Sequence, residues 1–516
     1  MTTAQFCILS AIVIYLVATI LIGVYYSRKG SGESSDQFYL GGRKLGPYVT
    51  AMSAEASDMS SYLLMGLPGL AFFAGVAEVG WTVIGLAVGT YLNWLIVAKR
   101  LRRYSAQLDA VTIPDYFSRR YADKHHMLAA IAAVVILVFF VPYTASGFSA
   151  VGKLFNSLFN VDYHVAMIVG AVIIIGYTVL GGFLAVSTTD FIQSIVMTVA
   201  LFVVLAFGVQ QAGGLGAVMD NAKSLPGYLN LTQGYDAATG AAGPYGPLSS
   251  FSTLAGGLGY FGMPHILLRF MAIRDENELK TSRRVASVWV VISMAVAIFI
   301  GIVGNAVVKA GKLSAAAAAD LTAQTGETII VQLSDLMSQH GVLLALVAGV
   351  VLAGILAATM STADSQLLAA ASSMSQDLLQ DFLGVKMSQK VAMVAARVTV
   401  VAIAVVAVIL AWDPNSSVFR VVSFAWAGFG AAFGPVVLAS LFWKRSNKWG
   451  ALAGMVAGGA MVFIWKFLVA PKGGLWSIYE LLPAFLVGCV VLVVVSLLTP
   501  APEQSVQDGF EKAKKA

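Results

Sequence analysis

Thr50-Ala51-Met52-Ser53-Ala54-Glu55-Ala56-Ser57-Asp58-Met59-Ser60-Ser61-Tyr62-Leu63-Leu64-Met65-Gly66-Leu67-Pro68-Gly69 has the length of a membrane crossing, yet it carries two carboxylates and four serines. A carboxylate at bilayer depth costs at least about 2.5 to 3.5 kcal/mol on insertion scales, so it is kept only where it faces a cavity, a partner or an ion. Asp58 is therefore a candidate site residue from the outset.

The rest of the chain explains why bilayer depth is the right frame. Of 516 residues, 58% are hydrophobic and only 11% charged, which no single soluble globule could bury; the chain reads as an all-α polytopic membrane protein. Windows of roughly 20 apolar residues fall near 6–26, 46–74, 80–98, 127–157, 164–181, 189–211, 250–272, 285–309, 341–372, 389–412, 418–442, 449–470 and 476–499, which predicts about thirteen spans. The first has no basic residue before it and no small-residue cleavage site after it, and is read as a retained helix. With the N-terminus outside, 25 of the 32 basic residues fall on one side. The other side keeps Lys153, Lys223, Lys309, Lys312, Arg420, Lys466 and Lys472. By the positive-inside rule the C-terminus is cytoplasmic. The net charge of +6 is then a topology signal and points to no nucleic-acid partner. Cys7 and Cys489, the only cysteines, lie far apart in apolar windows and suggest neither a disulfide framework nor a metal site.

Between the windows, 212–249 reads as an external loop and 310–340 as a loop with short helices of its own. The polar tail from Glu503 to Ala516 is expected to be mobile. Helix-weakening residues mark two windows at mid-membrane. The first is 46–74, at Ser57 to Ser61. The second is 250–272, at Gly256-Gly257-Leu258-Gly259-Tyr260-Phe261-Gly262-Met263-Pro264, where proline removes a donor and each glycine costs about 1 kcal/mol against alanine. They are the second and seventh spans. Interrupted segments at matching places in two halves point to inverted repeats around a midplane site, here 46–211 and 250–442. One extra helix and an inner loop precede them in 1–45, two helices follow in 443–499, and a tail occupies 500–516. Gly69, Gly75, Gly430 and Gly434 are assigned to close helix packing.

The ninth window ends in Ala358-Thr359-Met360-Ser361-Thr362-Ala363-Asp364-Ser365. On a helix the hydroxyls of Ser361 and Thr362 lie about 100° apart and the carbonyl of Ala358 projects toward the same turn. Three oxygens would suit a hard cation such as Na+, to which a broken helix adds free carbonyls around Ala56 and Met59. Such hydroxyls also bond back to their own helix; the nearby Asp190 and Asp364 favour ion handling.

Taken together, Leu40-Gly41-Gly42-Arg43, Ala56-Ser57-Asp58-Met59-Ser60, Gly181-Gly182-Phe183-Leu184-Ala185-Val186-Ser187, Gly257-Leu258-Gly259-Tyr260-Phe261-Gly262, Met360-Ser361-Thr362 and Trp426-Ala427-Gly428-Phe429-Gly430 resemble the sodium:solute symporter family, and within it the bacterial sodium/proline symporters. The resemblance runs from the first span to the last. It implies a LeuT-like core of two inverted five-helix repeats and Na+-coupled solute uptake by alternating access across a bacterial-type plasma membrane. It also implies that sodium is held by the carbonyls of Ala56, Met59 and Ala358 and the hydroxyls of Ser361 and Thr362, with Asp58 shaping the site. Positions matching Asp190, Ser361, Thr362, Asp364 and Ser365 hold a second sodium in some relatives, so a second cation or a proton stays open. The solute would lie near Ser57, Ser61, Tyr143, Gly256, Tyr260 and Pro264, and Arg43 would serve gating or coupling.

The departures bear on the solute. Gly256 stands where the proline symporters usually have tryptophan, Ser60-Ser61-Tyr62 where Ser-Gly-Trp is usual, and Glu55 where glycine is usual. An apolar pocket discriminates one methylene by only about 1 to 3 kcal/mol, so a lost indole admits a solute larger than proline. Proline or a proline-like amino acid remains the first expectation, and a transporter-like sensor without flux the reading from another class. No Gly-x-Ser-x-Gly elbow, His-Glu-x-x-His pair or phosphate loop is present to suggest an enzyme.

Overall fold

The computed structural model describes residues 2–30, 39–180 and 182–515. The stretch 31–38 of the inner loop, Gly181 at the head of the Gly181–Ser187 string, and Ala516 lie outside the described residues. Helix α1 (Thr3–Gly30) opens the chain. The decisive segment follows as α2 (Pro47–Ser61), a π-helical turn Tyr62–Gly66 and α3 (Leu67–Ala74). Proline at the start of α2 costs nothing, because the first-turn N–H groups have no intrahelical partner. Next come α4 (Val76–Leu92), a π turn Asn93–Val97, α5 (Ala98–Gln107), α6 (Ile113–Arg120), α7 (Met127–Phe159), α8 (Tyr163–Leu180) and α9 (Phe183–Gln211).

The second half enters through α10 (Leu215–Ser224) and an antiparallel hairpin, β1 (Gln233–Asp236) with β2 (Ala241–Pro244), Gln233 opposite Pro244. Its own interrupted segment is α11 (Pro247–Leu254), a 3-10 stretch Ala255–Gly262, and α12 (Pro264–Ala272). Then follow α13 (Leu279–Lys309), α14 (Ala315–Ala323), α15 (Ile329–Ser338) and α16 (Val342–Ser372) with a π-helical end Ser373–Phe382. The chain closes with α17 (Gln389–Leu410), α18 (Val418–Phe442), α19 (Lys448–Ile464), α20 (Leu481–Leu498) and α21 (Gln504–Lys515).

Nine of the described helices are long and apolar enough to cross a membrane, fewer than the thirteen windows. The shortfall has a physical cause. The windows 46–74 and 250–272 are each split into pieces too short to span alone, and 164–181 and 389–412 hold only shorter apolar helices among the described residues. Large side chains such as Leu343, Val398 and Leu498 point outward from the bundle, as lipid-facing helices require.

The breaks are narrower than the weakening residues suggested. In α2 only Ser60 leaves helical geometry, with φ 50° and ψ −166°, and its hydroxyl accepts the Tyr62 N–H at 3.1 Å. In the later segment the 3-10 stretch ends at Met263, whose ψ of 109° turns the chain into α12. Glycines there let backbones touch: a β-carbon on Gly89 would stand 2.3 Å from the Gly257 carbonyl oxygen, and one on Gly257 2.1 Å from that of Gly85. Gly75 needs its freedom for another reason, a φ of 74° at the turn between α3 and α4.

The 212–249 loop carries structure of its own, α10 and the hairpin. The tail is not loose: α21 buries Val506, Phe510 and Ala513, and Gln107 Nε2 on α5 donates to the Gly509 carbonyl at 3.0 Å. Spacings of four and three residues between those apolar positions are those of one helix face.

Candidate functional site

The interrupted α2 and the continuous α16 meet at a small cluster of oxygens. Ser361 Oγ donates to the Ala56 carbonyl at 2.9 Å and lies 3.2 Å from that of Ala358; Thr362 Oγ1 lies 3.1 Å from the same Ala358 oxygen. Ala56, Ala358 and Ser361 are fully buried. Rotation about the two Cβ–Oγ bonds would turn both hydroxyl lone pairs inward, giving four oxygens of the hard type an alkali cation takes. Met59 is adjacent, one turn on, and its carbonyl accepts the Tyr62 N–H just past the break.

Beside this junction lies a cavity of about 410 Å³, whose lining includes Asp58, Met59, Tyr62, Tyr143, Gly256, Phe419 and Trp426. Asp58 is held twice: its carbonyl accepts the Tyr143 hydroxyl at 2.7 Å and its Oδ2 accepts the Tyr260 hydroxyl at 2.8 Å. Trp426 Nε1 donates to the Gly256 carbonyl at 2.8 Å, and its ring meets Tyr260 edge-on at 4.8 Å. Tyr62 stacks on Phe419 at 5.0 Å. Two ion pairs stand at the rim, Arg420 with Glu78 at 2.6 Å and Lys466 with Glu480 at 3.3 Å.

Of the six residues expected around a solute, Tyr143 and Gly256 line the cavity. Ser57 spends its hydroxyl on the Ala54 carbonyl at 3.0 Å, Ser61 Oγ is buried without a partner, and Tyr260 and Pro264 are buried in the wall. Tyr62 stands among the departures that bear on the solute, whereas Phe419 and the rim charges carry no such signal in the sequence. Trp426 sat in a quoted string but carried no role, since nothing in the sequence says that α18 packs on the 3-10 stretch.

A second cluster surrounds Arg269 on α12. Its Nη2 donates to Asp190 Oδ2 at 3.0 Å and Ser365 Oγ at 2.6 Å, its Nε to Ser53 Oγ at 3.0 Å, and its Nη1 to the His265 carbonyl at 2.9 Å. Asp364 Oδ1 lies 3.4 Å from Ser365 Oγ. A guanidinium thus stands among Asp190, Asp364 and Ser365, where the family resemblance allowed a second small cation.

One end of the molecule is sealed. Arg43 donates to Ser105 Oγ and to the carbonyls of Met271, Ser105 and Ala110, at 2.7 to 3.2 Å. Leu45 pairs with the end of α12 and the residues after it: its N–H donates to the Ala272 carbonyl and its own carbonyl accepts the Arg274 N–H. Thr112 Oγ1 donates to Asp377 at 2.8 Å on the same side. Toward the opposite face, where the 212–249 segment and the α19–α20 connection line the rim, the cavity is accessible. There Glu327 and Lys153, 2.7 Å apart and buried, tie the α14–α15 segment to α7, and Glu327 also accepts from Ser417 and the Phe419 N–H.

A sequence model of the sodium:solute symporter family matches residues 38–458. The chain is 42% identical over 98% of its length to a sodium/proline symporter of Haemophilus influenzae, covering 97% of that protein. It is 41% identical over 95% of its length to the high-affinity proline transporter PutP of Bacillus subtilis, covering 98% of it. Its fold is that of a Na+-coupled sialic acid symporter solved in a substrate-bound outward-open state, with TM-score 0.75, 17% identity, and coverage of 96% of this chain and 99% of that one. A nucleobase-cation-symport-1 family transporter, closed around bromovinylhydantoin, superposes less well, at TM-score 0.55 and 13% identity over 92% of this chain and 98% of that one.

Proposed function

The chain belongs to the sodium:solute symporter family, and from that premise we propose that it imports proline or a proline-like amino acid together with Na+ by alternating access. The observation that carries this reading is the contact of Ser361 with the Ala56 carbonyl, which joins an interrupted helix to an intact one two residues from Asp58 on the cavity wall. Sodium would be held by the carbonyls of Ala56, Met59 and Ala358 and the hydroxyls of Ser361 and Thr362. Bridging α2 to α16 in this way favours the arrangement in which the cavity is open and Arg43 seals the other end. The N-terminus is placed outside and the tail inside, on the bias of the basic residues.

The solute enters past Arg420 and Glu78. Its apolar ring packs on Tyr143 and Trp426 while its charged groups meet Asp58 and the backbone donors around the Ser60 break. Asp190, Asp364 and Ser365 are assigned as counter-groups of Arg269, so no sodium is proposed there. One charge crossing about 100 mV yields ~2.3 kcal/mol and a tenfold sodium gradient ~1.4 more, enough for roughly 500-fold accumulation per sodium.

A larger amino-acid solute is favoured by one observation. A β-carbon on Gly256 would meet only Tyr479 Cε1, at 3.9 Å, so the cavity is open where an indole could stand. The test is uptake of labelled proline, hydroxyproline, betaine and larger amino acids into proteoliposomes. Sodium-gradient-dependent accumulation is expected, and binding without accumulation would instead favour a sensor.

A further inference from the structure

Glu55 has no place in that scheme, yet it is 1% exposed and lies on α2 one residue before Ala56. Its Oε1 accepts the Trp94 indole N–H at 2.9 Å, and its Oε2 is buried without a partner. Two further oxygens lie nearby. Asn93 donates its Nδ2 to the Tyr260 carbonyl at 2.9 Å, which leaves Oδ1 buried and unpaired, and the buried Thr90 hydroxyl lies against the Tyr260 hydroxyl. Thr90 and Asn93 stand one turn apart on the same face of the segment joining α4 to its π turn. That face packs on the 3-10 stretch through Gly89 and Gly257. Asn93 is also the first residue of the π turn, a distortion that recurs at functional sites because it re-aims side chains at the cost of a regular hydrogen bond.

Charge makes the same demand. Glu55 and Asp58 are three residues apart, one above the other on α2. No ion pair joins either to a basic side chain among the described residues. Arg269, whose guanidinium reaches α2 at Ser53, is spent on Asp190, Ser53, Ser365 and the His265 carbonyl. Buried carboxylates are normally paired or coordinate a metal. A carboxylate oxygen and an amide oxygen, both acceptors and both unpaired, with a hydroxyl that can turn its lone pairs inward, suit a small monovalent cation and not an anion or an apolar group.

We propose that Glu55 Oε2, Asn93 Oδ1 and Thr90 Oγ1 form a second Na+ site, between α2, α4 and the 3-10 stretch, behind Asp58 and separate from the Ala56–Ser361 junction. The Tyr260 hydroxyl on Asp58 and the Asn93 amide on the Tyr260 carbonyl connect this site to the solute wall, so its occupancy bears on solute binding as well as on coupling. The inference rests on the symport reading and makes the transport stoichiometry two Na+ per solute.

The test is the ratio of 22Na+ to labelled proline taken up by proteoliposomes of the full chain, with the Hill slope for Na+ at fixed pH. The wild type should give a ratio and slope of about two, and Glu55→Gln, which keeps the acceptor for Trp94, about one with sodium-dependent uptake retained. Maximal accumulation should fall about 500-fold at 100 mV and a tenfold gradient. Thr90→Val, an isosteric loss of one ligand, should raise the sodium concentration for half-maximal uptake and lower the slope even if Glu55→Gln fails to fold. A wild-type ratio of one, or a ratio and slope unchanged in both variants, would overturn the second site and leave symport standing. Absence of any sodium-driven uptake by the wild type would overturn the symport reading itself.

Discussion

Gly256→Trp restores the residue usual in the family's proline symporters, and the geometry says what it should do. Its three neighbouring glycines cannot accept a side chain: a β-carbon would lie 2.1 Å from the Gly85 oxygen at Gly257, 2.0 Å from Trp426 Nε1 at Gly259 and 2.2 Å from the Phe429 oxygen at Gly262. Gly256 alone faces the cavity. An indole there would wall off part of the 410 Å³. A five-membered ring gaining that wall would lose about 40–60 Å² more surface to water, worth about 1 to 1.5 kcal/mol, or a five- to twelvefold lower KM for proline. Solutes one or two methylenes larger should be penalised by about 1 to 3 kcal/mol each. The assay is competition of sodium-driven proline uptake by a graded series of amino acids, with Gly257→Ala as the control that should lose transport by displacing backbone. An unchanged competitor profile in Gly256→Trp, or loss of all transport as in the control, would refute the reasoning that position 256 faces the solute.

Tyr260→Phe leaves Asp58 Oδ2 without its donor; a hydrogen bond to a charged group is worth about 1.5 to 3 kcal/mol, so half-saturation for solute or sodium should rise about 10- to 150-fold, read from uptake kinetics. Arg43→Gln removes the guanidinium that bonds to α5, the loop before α6 and α12 at once. In a background lacking Cys7 and Cys489, a cysteine at Thr112 should then label faster from the tail side. Lys153→Met strands the buried Glu327 carboxylate and should cost about 3 to 5 kcal/mol of stability, read as a lower Tm in detergent with the secondary structure of the remaining folded protein unchanged.

How far the chain could be read in advance follows the range of the interactions involved. Apolar windows and the two interruptions are local properties of a few adjacent residues, so Pro264 and the glycines before it, and the serines up to Ser61, marked both broken segments. The single strained residue, Ser60, was hidden because four serines look alike until the helix on each side is placed. The Ser361–Ala56 contact spans 305 positions and came from family resemblance, since spacing alone offered the back-bonded alternative, which the Ala358 contacts also satisfy. Arg269 was counted among the inner basic residues. Its position in α12 directs it into the bundle, where it takes the partners expected of a small cation. Glu55 had no visible partner because Trp94 is 39 positions away and reaches it from a π turn that no periodicity predicts. The docked tail is different: the spacing of Val506, Phe510 and Ala513 was present and was outweighed by polar composition.

The account stands on sodium joining α2 to α16. Its most direct measurement is equilibrium 22Na+ binding to the purified full chain by scintillation proximity, comparing the wild type with the Ser361→Ala, Thr362→Ala double variant, together with sodium-dependent binding of labelled proline. The wild type should bind sodium saturably and bind proline only in its presence; the double variant should lose one bound sodium and its sodium-dependent proline binding. A double variant that binds sodium and proline as the wild type does would contradict the account.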